Sequence, residues 1–233
     1  LAILGLVILL IASRALRETL HRDDRKAKGF EGVNRRFIAV FRDRIFVALL
    51  LIGMAQTIAL FSYLNNIPFL YQDTFGLSPV GFSMVFSITA LAWFSGIQLG
   101  AKFGRIFKAH WVVLAALALS GVAGLGLFLV GEAGGGLISV IPLMALYMIS
   151  FGLAVTPVQT IALQGHGSEA GTAASVMGVM NSFTAAIGAP LYPLVGSASS
   201  SNLGLMVLGM HAIAVAVFFF ILRPKTVPDL VAE

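Results

Sequence analysis

Six long apolar segments follow one another from residue 45 onward, separated by short polar connections. A helix of about 20 residues, rising about 1.5 Å per residue, crosses the hydrocarbon core of a bilayer. None of the segments contains Asp, Glu, Lys or Arg, and none alternates with the two-residue period of barrel strands. The pattern therefore predicts a transmembrane bundle over residues 45–223, built from the helices Ile45–Leu70, Val80–Ala101, Trp111–Val130, Leu137–Leu163, Gly171–Val195 and Leu203–Leu222.

A shorter apolar run over residues 1–12 precedes this bundle. It is too short to cross a bilayer and lacks the basic flank and cleavage site of a secretory signal. We therefore expect it to be the end of a span whose beginning is missing. Residues 13–44 are then a cytoplasmic linker, and residues 224–233 are a cytoplasmic tail. Val33, Phe37 and Phe41 recur at helical spacing in the linker, which leaves open whether it is a surface helix or a solvated segment.

Composition and charge support a membrane location. Of the 233 residues, 58% are hydrophobic and 11% are charged, and the mean hydropathy is +0.96. All 15 Lys and Arg fall in the linker, the second connection or the tail, whereas the opposite side carries only Asp73 and Glu132. The positive-inside rule places residues 13–44 and the C-terminus in the cytoplasm of a multi-pass inner (plasma) membrane protein. The net charge of +5 then reflects topology and lipid contact, and we expect no nucleic-acid partner.

A partial span, a long linker, six spans and a tail resemble the C-terminal half of a major facilitator superfamily transporter. ALRETL (Ala15–Leu20) resembles the motif that closes the sixth span in the Bcr/CflA group of drug:H⁺ antiporters. FSYLNNIPFLYQDTFGLSPVGFS (Phe61–Ser83) resembles that group's seventh-span exit. TPVQTIAL (Thr156–Leu163) and EAGTAASVMGVMNSF (Glu169–Phe183) are similar to its passage from the tenth to the eleventh span. The usual Asn near Gln159 is replaced, and the loop AKFGRIFKAH keeps only the family's basic character.

This resemblance implies an all-α membrane fold, namely the C-terminal six-helix bundle of the major facilitator fold with the end of the sixth span and the central loop before it. It also implies a fragment of a secondary active efflux transporter that exports drug-like, amphipathic small molecules in exchange for protons, with a role in multidrug resistance. The partners are a small-molecule substrate, the lipid bilayer and a missing N-terminal six-helix half. The resemblance places the proton-carrying acid in that half, and it implies no cofactor besides the coupling H⁺.

Polar side chains inside the spans are the candidates for a substrate cavity, because polar atoms are costly when they face lipid. Gln56 and Tyr63 are seven residues apart and lie within about 20° of each other around a helix, with Asn66 further round. Other candidates flank Pro157 or stand beside a stripe of small residues that we interpret as a packing surface. The full set is Gln56, Tyr63, Asn66, Thr156, Gln159, Thr160 and Asn181.

Other functions are less consistent with the residues. HExxH and GxSxG are absent, and Cys is absent altogether, so we expect neither an enzyme nor a metal site. His211 is the only imidazole at membrane depth and is interpreted as a packing residue. Two alternatives stay open, a major facilitator carrier of one specific metabolite and a solitary membrane half that acts as a scaffold.

Overall fold

The computed structural model describes residues 37–166, 169–196 and 198–224, together with a few positions before residue 16. The chain divides into two compact units, Leu1–Arg35 and Arg36–Glu233. In the first unit, the described positions 5, 6, 8, 11, 14 and 15 are helical. The rest of the expected span at 1–12, most of the expected linker at 13–44, including Val33, and the tail after residue 224 lie outside the described residues.

The described part of the second unit contains six long helices, one for each predicted segment, and a short helical stretch over residues 37–42 that holds Phe37 and Phe41. The six are α1 Arg44–Phe69, α2 Pro79–Ile106, α3 Ala109–Glu132, α4 Leu137–Gln164, α5 Ala170–Val195 and α6 Ser200–Val217, with π-helical turns continuing α1 over Leu70–Thr74 and α6 over Phe218–Leu222. The described residues form no strand, so the predicted all-α fold is confirmed. The largest difference is at α2, which continues past the predicted end at Ala101. Its last turns carry Lys102 and Arg105, cations that are favourable at a helix C-terminus.

Side chains cap the start of three helices. Asp43, Ser78 and Ser199 each accept a hydrogen bond from a backbone N–H in the first turn of α1, α2 and α6, respectively. Asp43 has a second role, because its Oδ2 lies 3.1 Å from Nε2 of His166 in the α4–α5 connection. One carboxylate therefore stabilises the start of α1 and holds the connection that follows α4.

Successive connections lie at alternating ends of the bundle. At one end Asp43 meets His166. At the other end the Thr74 hydroxyl donates to the carbonyl of Ala198 at 3.3 Å, which joins the end of α1 to the α5–α6 connection. This is the alternation that the predicted topology requires. Which end faces the cytoplasm stays a prediction.

Two separate hydrophobic clusters fill the interior. Along α1, buried apolar residues up to Ala55 belong to one cluster and those from Ala59 onward belong to the other. On α4 the boundary falls between Phe151 and Leu153. Gln56 occupies this boundary on α1, so a buried amide lies where one apolar cluster ends and the next begins.

Glycines allow two pairs of helices to pack backbone against backbone. A Cβ on Gly96 of α2 would collide with the carbonyl of Ile149, and a Cβ on Gly152 of α4 would collide with the backbone of α2. Gly124 of α3 and Gly204 of α6 pack against each other's helix in the same way. Small residues at such crossings let helices approach closely, which is the main source of helix association in lipid.

The small-residue stripe on α5 does not pack in this way. Gly171 and Gly178 are exposed, and a Cβ on either would meet nothing within 4 Å. Within this chain, these two glycines of the stripe therefore make no close helix contact, and the interpretation of the stripe as a packing surface stays a prediction. The helix uses its other side instead, where a Cβ on Gly188 would lie 2.9 Å from the carbonyl of Ile58 in α1. Both sides of α5 are rich in small residues, so spacing alone does not tell which side is buried.

Five helices of the described region are long and apolar enough to cross a membrane: α1 and α6 with their π-helical turns, α2, α3 and α4. The helix α5 has 26 residues but is not among the five. The sixth predicted crossing stays a prediction.

The α2–α4 contact can be tested with a single methyl group. We expect Gly96→Ala to lower the free energy of unfolding by about 1–3 kcal/mol, because the new Cβ must displace a backbone carbonyl. The matched control is Gly121→Ala on α3, where a Cβ meets nothing within 4 Å, and this variant should lose no stability. Thermal unfolding in detergent, followed by circular dichroism, measures both. Equal stabilities of the two variants would contradict the contact.

Candidate functional site

A cavity of about 210 Å³ lies between α1, α2, α4 and α5, at the level where the two hydrophobic clusters meet. Its lining residues are Leu49, Leu50, Gly53, Gln56, Thr57, Leu60, Trp93, Phe151, Val155, Val158, Gln159, Met177 and Asn181. On α1, α4 and α5 these residues recur at steps of one, three or four residues, which places them on one broad side of each helix, and α2 contributes Trp93. None of them is charged.

Gln56 is the most deeply buried polar member of the lining. Its side chain is 5% exposed, and its Nε2 has no hydrogen-bond partner among the described residues. A buried donor without a partner costs about 1–3 kcal/mol. The amide nitrogen of this lining residue therefore keeps two N–H donors that no described residue accepts.

Thr57 and Asn181 form a polar link across the cavity. The Thr57 hydroxyl donates to Oδ1 of Asn181 at 3.3 Å, which joins α1 to α5. With its oxygen engaged, Asn181 keeps its two N–H donors for another partner. Gln159 of α4 is exposed and brings a third amide to the same lining.

The rest of the wall is apolar and includes two aromatic rings. Trp93 of α2 and Phe151 of α4 lie with their ring centroids 6.1 Å apart, tilted by 59°. Aromatic faces give large flat contact surfaces and attract cations. The site therefore combines amides that donate and accept hydrogen bonds with an adaptable apolar wall.

Three of the seven predicted candidates meet in this cavity, namely Gln56, Gln159 and Asn181. Sequence reasoning missed Thr57 and Trp93. Thr57 is about 100° from Gln56 around the helix, so a search along one face from Gln56 does not reach it. Trp93 stands near the middle of its span, and this unusual depth for a Trp was the available signal.

Tyr63 and Asn66 do not line the cavity. The Tyr63 hydroxyl lies 3.1 Å from the hydroxyl of Thr89 in a buried contact with α2. Tyr63 shares a face with Gln56, but seven residues move it about 10 Å along the axis, beyond Leu60 at the cavity's edge. Asn66 donates to the carbonyl of Ser62, one turn earlier in its own helix.

Thr156 and Thr160 line a different pocket, next to the end of α2 and the start of α3. They are about 40° apart around α4, whereas Gln159 is about 100° from Thr160. The three residues therefore separate onto two sides of the helix. The Thr160 hydroxyl donates to the carbonyl of Thr156 at 2.9 Å.

His211 is held inside the bundle, as the sequence interpretation expected of a packing residue. It is buried, with Nδ1 2.8 Å from the carbonyl of Val207 and its ring edge-on to Tyr147. It does not line the cavity. Among the described residues, no group of three or more His, Cys, Asp or Glu side chains is placed to hold a metal ion.

Comparison with known proteins gives the family. The model of the Major Facilitator Superfamily matches residues 1–189. The chain belongs to the major facilitator superfamily. It is also 29% identical over 201 residues to the uncharacterized MFS-type transporter YdgK of Bacillus subtilis (strain 168), an alignment that covers 84% of this chain and 48% of YdgK.

These findings define the class of protein. The chain spans about half the length of this relative. Five helices able to cross a membrane, in a member of a transporter superfamily, make it a multi-pass membrane protein. Family membership places it with transporters rather than with enzymes.

The unpaired amide of Gln56 makes a testable prediction for this major facilitator chain. We expect Gln56→Leu to raise the free energy of unfolding by about 1–3 kcal/mol, because it removes a buried donor that has no partner. Tyr63→Phe serves as the comparison, because it removes a hydroxyl that has a partner, and it should lower stability by about 0.5–1.5 kcal/mol. Thermal unfolding in detergent measures both changes. If Gln56→Leu loses as much stability as Tyr63→Phe, the amide of Gln56 already has a hydrogen-bond partner in the folded protein.

Proposed function

We propose that this chain forms one wall of the substrate cavity of a secondary active efflux transporter that exports drug-like, amphipathic molecules by alternating access. The observation that carries the proposal is the buried Nε2 of Gln56, unpartnered in an uncharged cavity at the junction of two apolar clusters. Transporter substrate sites lie near mid-depth between helices. Gln56 is on such a level, 12 residues into the 26-residue helix α1.

The chemistry of the lining supports an amphipathic substrate. With no fixed charge, the wall does not select one sign of charge. The amides of Gln56, Gln159 and Asn181 bind polar groups of either donor or acceptor type. Trp93 and Phe151 supply surfaces for apolar rings and for organic cations. Such a wall tolerates variety in the substrate, as drug export requires.

The second wall is proposed to come from an N-terminal six-helix half. Gln159 and Asn181 are exposed, so the cavity is open on the side that they face. Exposed amides are costly against lipid, and another protein surface would satisfy them. The alignment with about half of YdgK is consistent with such a half. We further propose that the complete transporter lies in the inner membrane, with residues 13–44 and the C-terminus in the cytoplasm.

Proton coupling is proposed from the resemblance to Bcr/CflA-type drug:H⁺ antiporters. A proton carrier within a membrane is usually an acid or a histidine that reaches the transport path. The cavity lining contains neither. We therefore propose that the carrier acid belongs to the N-terminal half, and that this half of the transporter supplies substrate contacts only.

Efflux from vesicles tests the proposed activity. The protein encoded by the complete gene is reconstituted, and export of a cationic dye is followed with and without an imposed pH gradient. We expect a proton gradient to drive dye movement and its collapse by an ionophore to stop it. No effect of the gradient would exclude antiport. Transport of one metabolite from a panel, with unrelated drugs ignored, would favour the specific carrier instead.

A pair of variants tests the cavity in the same assay. Gln56→Leu should lower the dye's kcat/KM by about tenfold, the loss expected when a hydrogen bond to substrate is removed without another partner. Tyr63→Phe lies on the same face of α1 but outside the cavity, and should change kcat/KM by less than about twofold, since its hydroxyl serves internal packing. Equal effects of the two variants would place the substrate elsewhere.

A further inference from the structure

A second cavity, of about 410 Å³, opens where α2 ends and α3 begins, against one side of α4. It is lined by Gly100, Ala101, Gly104, Arg105, Ala109, Thr156, Pro157 and Thr160. None of these residues lines the proposed substrate cavity. The cavity lies at the end of the bundle that contains the Asp43–His166 contact, because Thr160 is in the last turns of α4.

The polar groups of this second cavity suit an anion. Arg105 is exposed and has no ion-pair partner among the described residues. The Thr156 hydroxyl makes no hydrogen bond in the described part of the chain, so its proton is available to a ligand. One unpaired guanidinium and one hydroxyl without a partner therefore meet at one cavity.

The rim of the second cavity is apolar and aromatic. Ile106 and Phe107, which directly follow Arg105, are each 56% exposed, and Trp111 is 49% exposed. Lys102 and Lys108 stand on either side of this rim in the sequence. Exposed Trp beside basic residues is typical of a helix end at the level of the lipid headgroups. A soluble anion would make no apolar contact with this rim. A ligand with an anionic head and apolar chains would contact both the polar groups of the cavity and the apolar rim.

We propose that this second cavity binds the phosphate group of an anionic phospholipid. The Arg105 guanidinium and the Thr156 hydroxyl donate to the phosphate oxygens, and the acyl chains lie over Ile106 and Phe107. Basic pockets between helix ends are known sites for anionic lipid headgroups. The lipid would hold the end of α2 against α4 at the point where α2 leaves the bundle. This site is independent of the substrate and coupling ion proposed above.

Native mass spectrometry tests the lipid site. The protein encoded by the complete gene is purified in detergent with either phosphatidylglycerol or phosphatidylcholine, and the retained lipids are counted. We expect phosphatidylglycerol to be retained in preference to phosphatidylcholine, and Arg105→Gln to lower its apparent affinity by about tenfold or more, the loss expected when a charge-assisted hydrogen bond is removed. Gly104→Leu should cause a similar loss with all charges intact, because a Cβ there meets nothing within 4 Å and the larger side chain fills the cavity.

Two control variants separate this site from general surface charge and from side-chain size. Lys102→Gln removes a neighbouring cation that does not line the cavity, and Gly209→Leu adds the same side chain in open space on α6. Gly209→Leu should change affinity by less than about twofold, and Lys102→Gln should lower it by about fivefold at most, the general effect of one cation near a lipid surface. Equal loss in Lys102→Gln and Arg105→Gln, or full retention in Gly104→Leu, would overturn the site.

Two further outcomes would overturn the assignment to lipid. Displacement of phosphatidylglycerol by millimolar inorganic phosphate would assign the cavity to a soluble phosphate. If the wild type retains no anionic lipid and Arg105→Gln lowers its thermal stability in lipid-free detergent, the cavity is filled by a carboxylate of the protein itself. Retention that resists inorganic phosphate and depends on Arg105 supports the phospholipid.

Discussion

Backbone contact between helices is the interaction on which this bundle depends. Apolar side chains gain little by leaving lipid for one another, so helix association rests on close packing. Gly96 and Gly152 bring α2 and α4 within backbone contact, and this contact positions part of the proposed substrate wall. Gly152 lies against the carbonyl of Trp93, and its neighbour Phe151 consequently stands beside the Trp93 ring in the cavity. The contact between α2 and α4 therefore both holds the bundle together and forms part of the proposed site.

The proposed substrate cavity gathers uncharged polar groups where apolar packing is interrupted. Gln56 is buried without a partner, whereas Thr57 and Asn181 satisfy each other in part across α1 and α5. A fully satisfied set would stabilise the fold and offer nothing to a ligand. The incomplete pairing costs stability and leaves donors available. Elsewhere in the described interior, Tyr63 and Thr89 pair with each other, whereas the hydroxyls of Tyr71 and Tyr147 and Nε2 of His211 are buried without a hydrogen-bond partner, as Nε2 of Gln56 is.

The architecture followed from the sequence more readily than the site did. Uninterrupted apolar runs predicted all six helices, because length and polarity leave few other structures possible in lipid. Amides are rare inside spans, which is why Gln56, Gln159 and Asn181 stood out. Tyr63 lies outside the cavity because of its depth along α1 and because its hydroxyl pairs with Thr89 of another helix. The buried side of α5 is set by the tertiary contact of Gly188 with α1. Periodicity within one helix contains neither kind of information.

The division of the interior into two apolar clusters has a mechanical consequence. The clusters share no buried residue, and they meet at the level of Gln56 on α1 and of Phe151 and Leu153 on α4. Close-packed interiors resist deformation, so bending is cheapest at the seam between them. Side chains at one membrane face can rearrange while those at the opposite face keep their neighbours. Conformational change in this bundle then requires the disruption of only one half of its interior at a time.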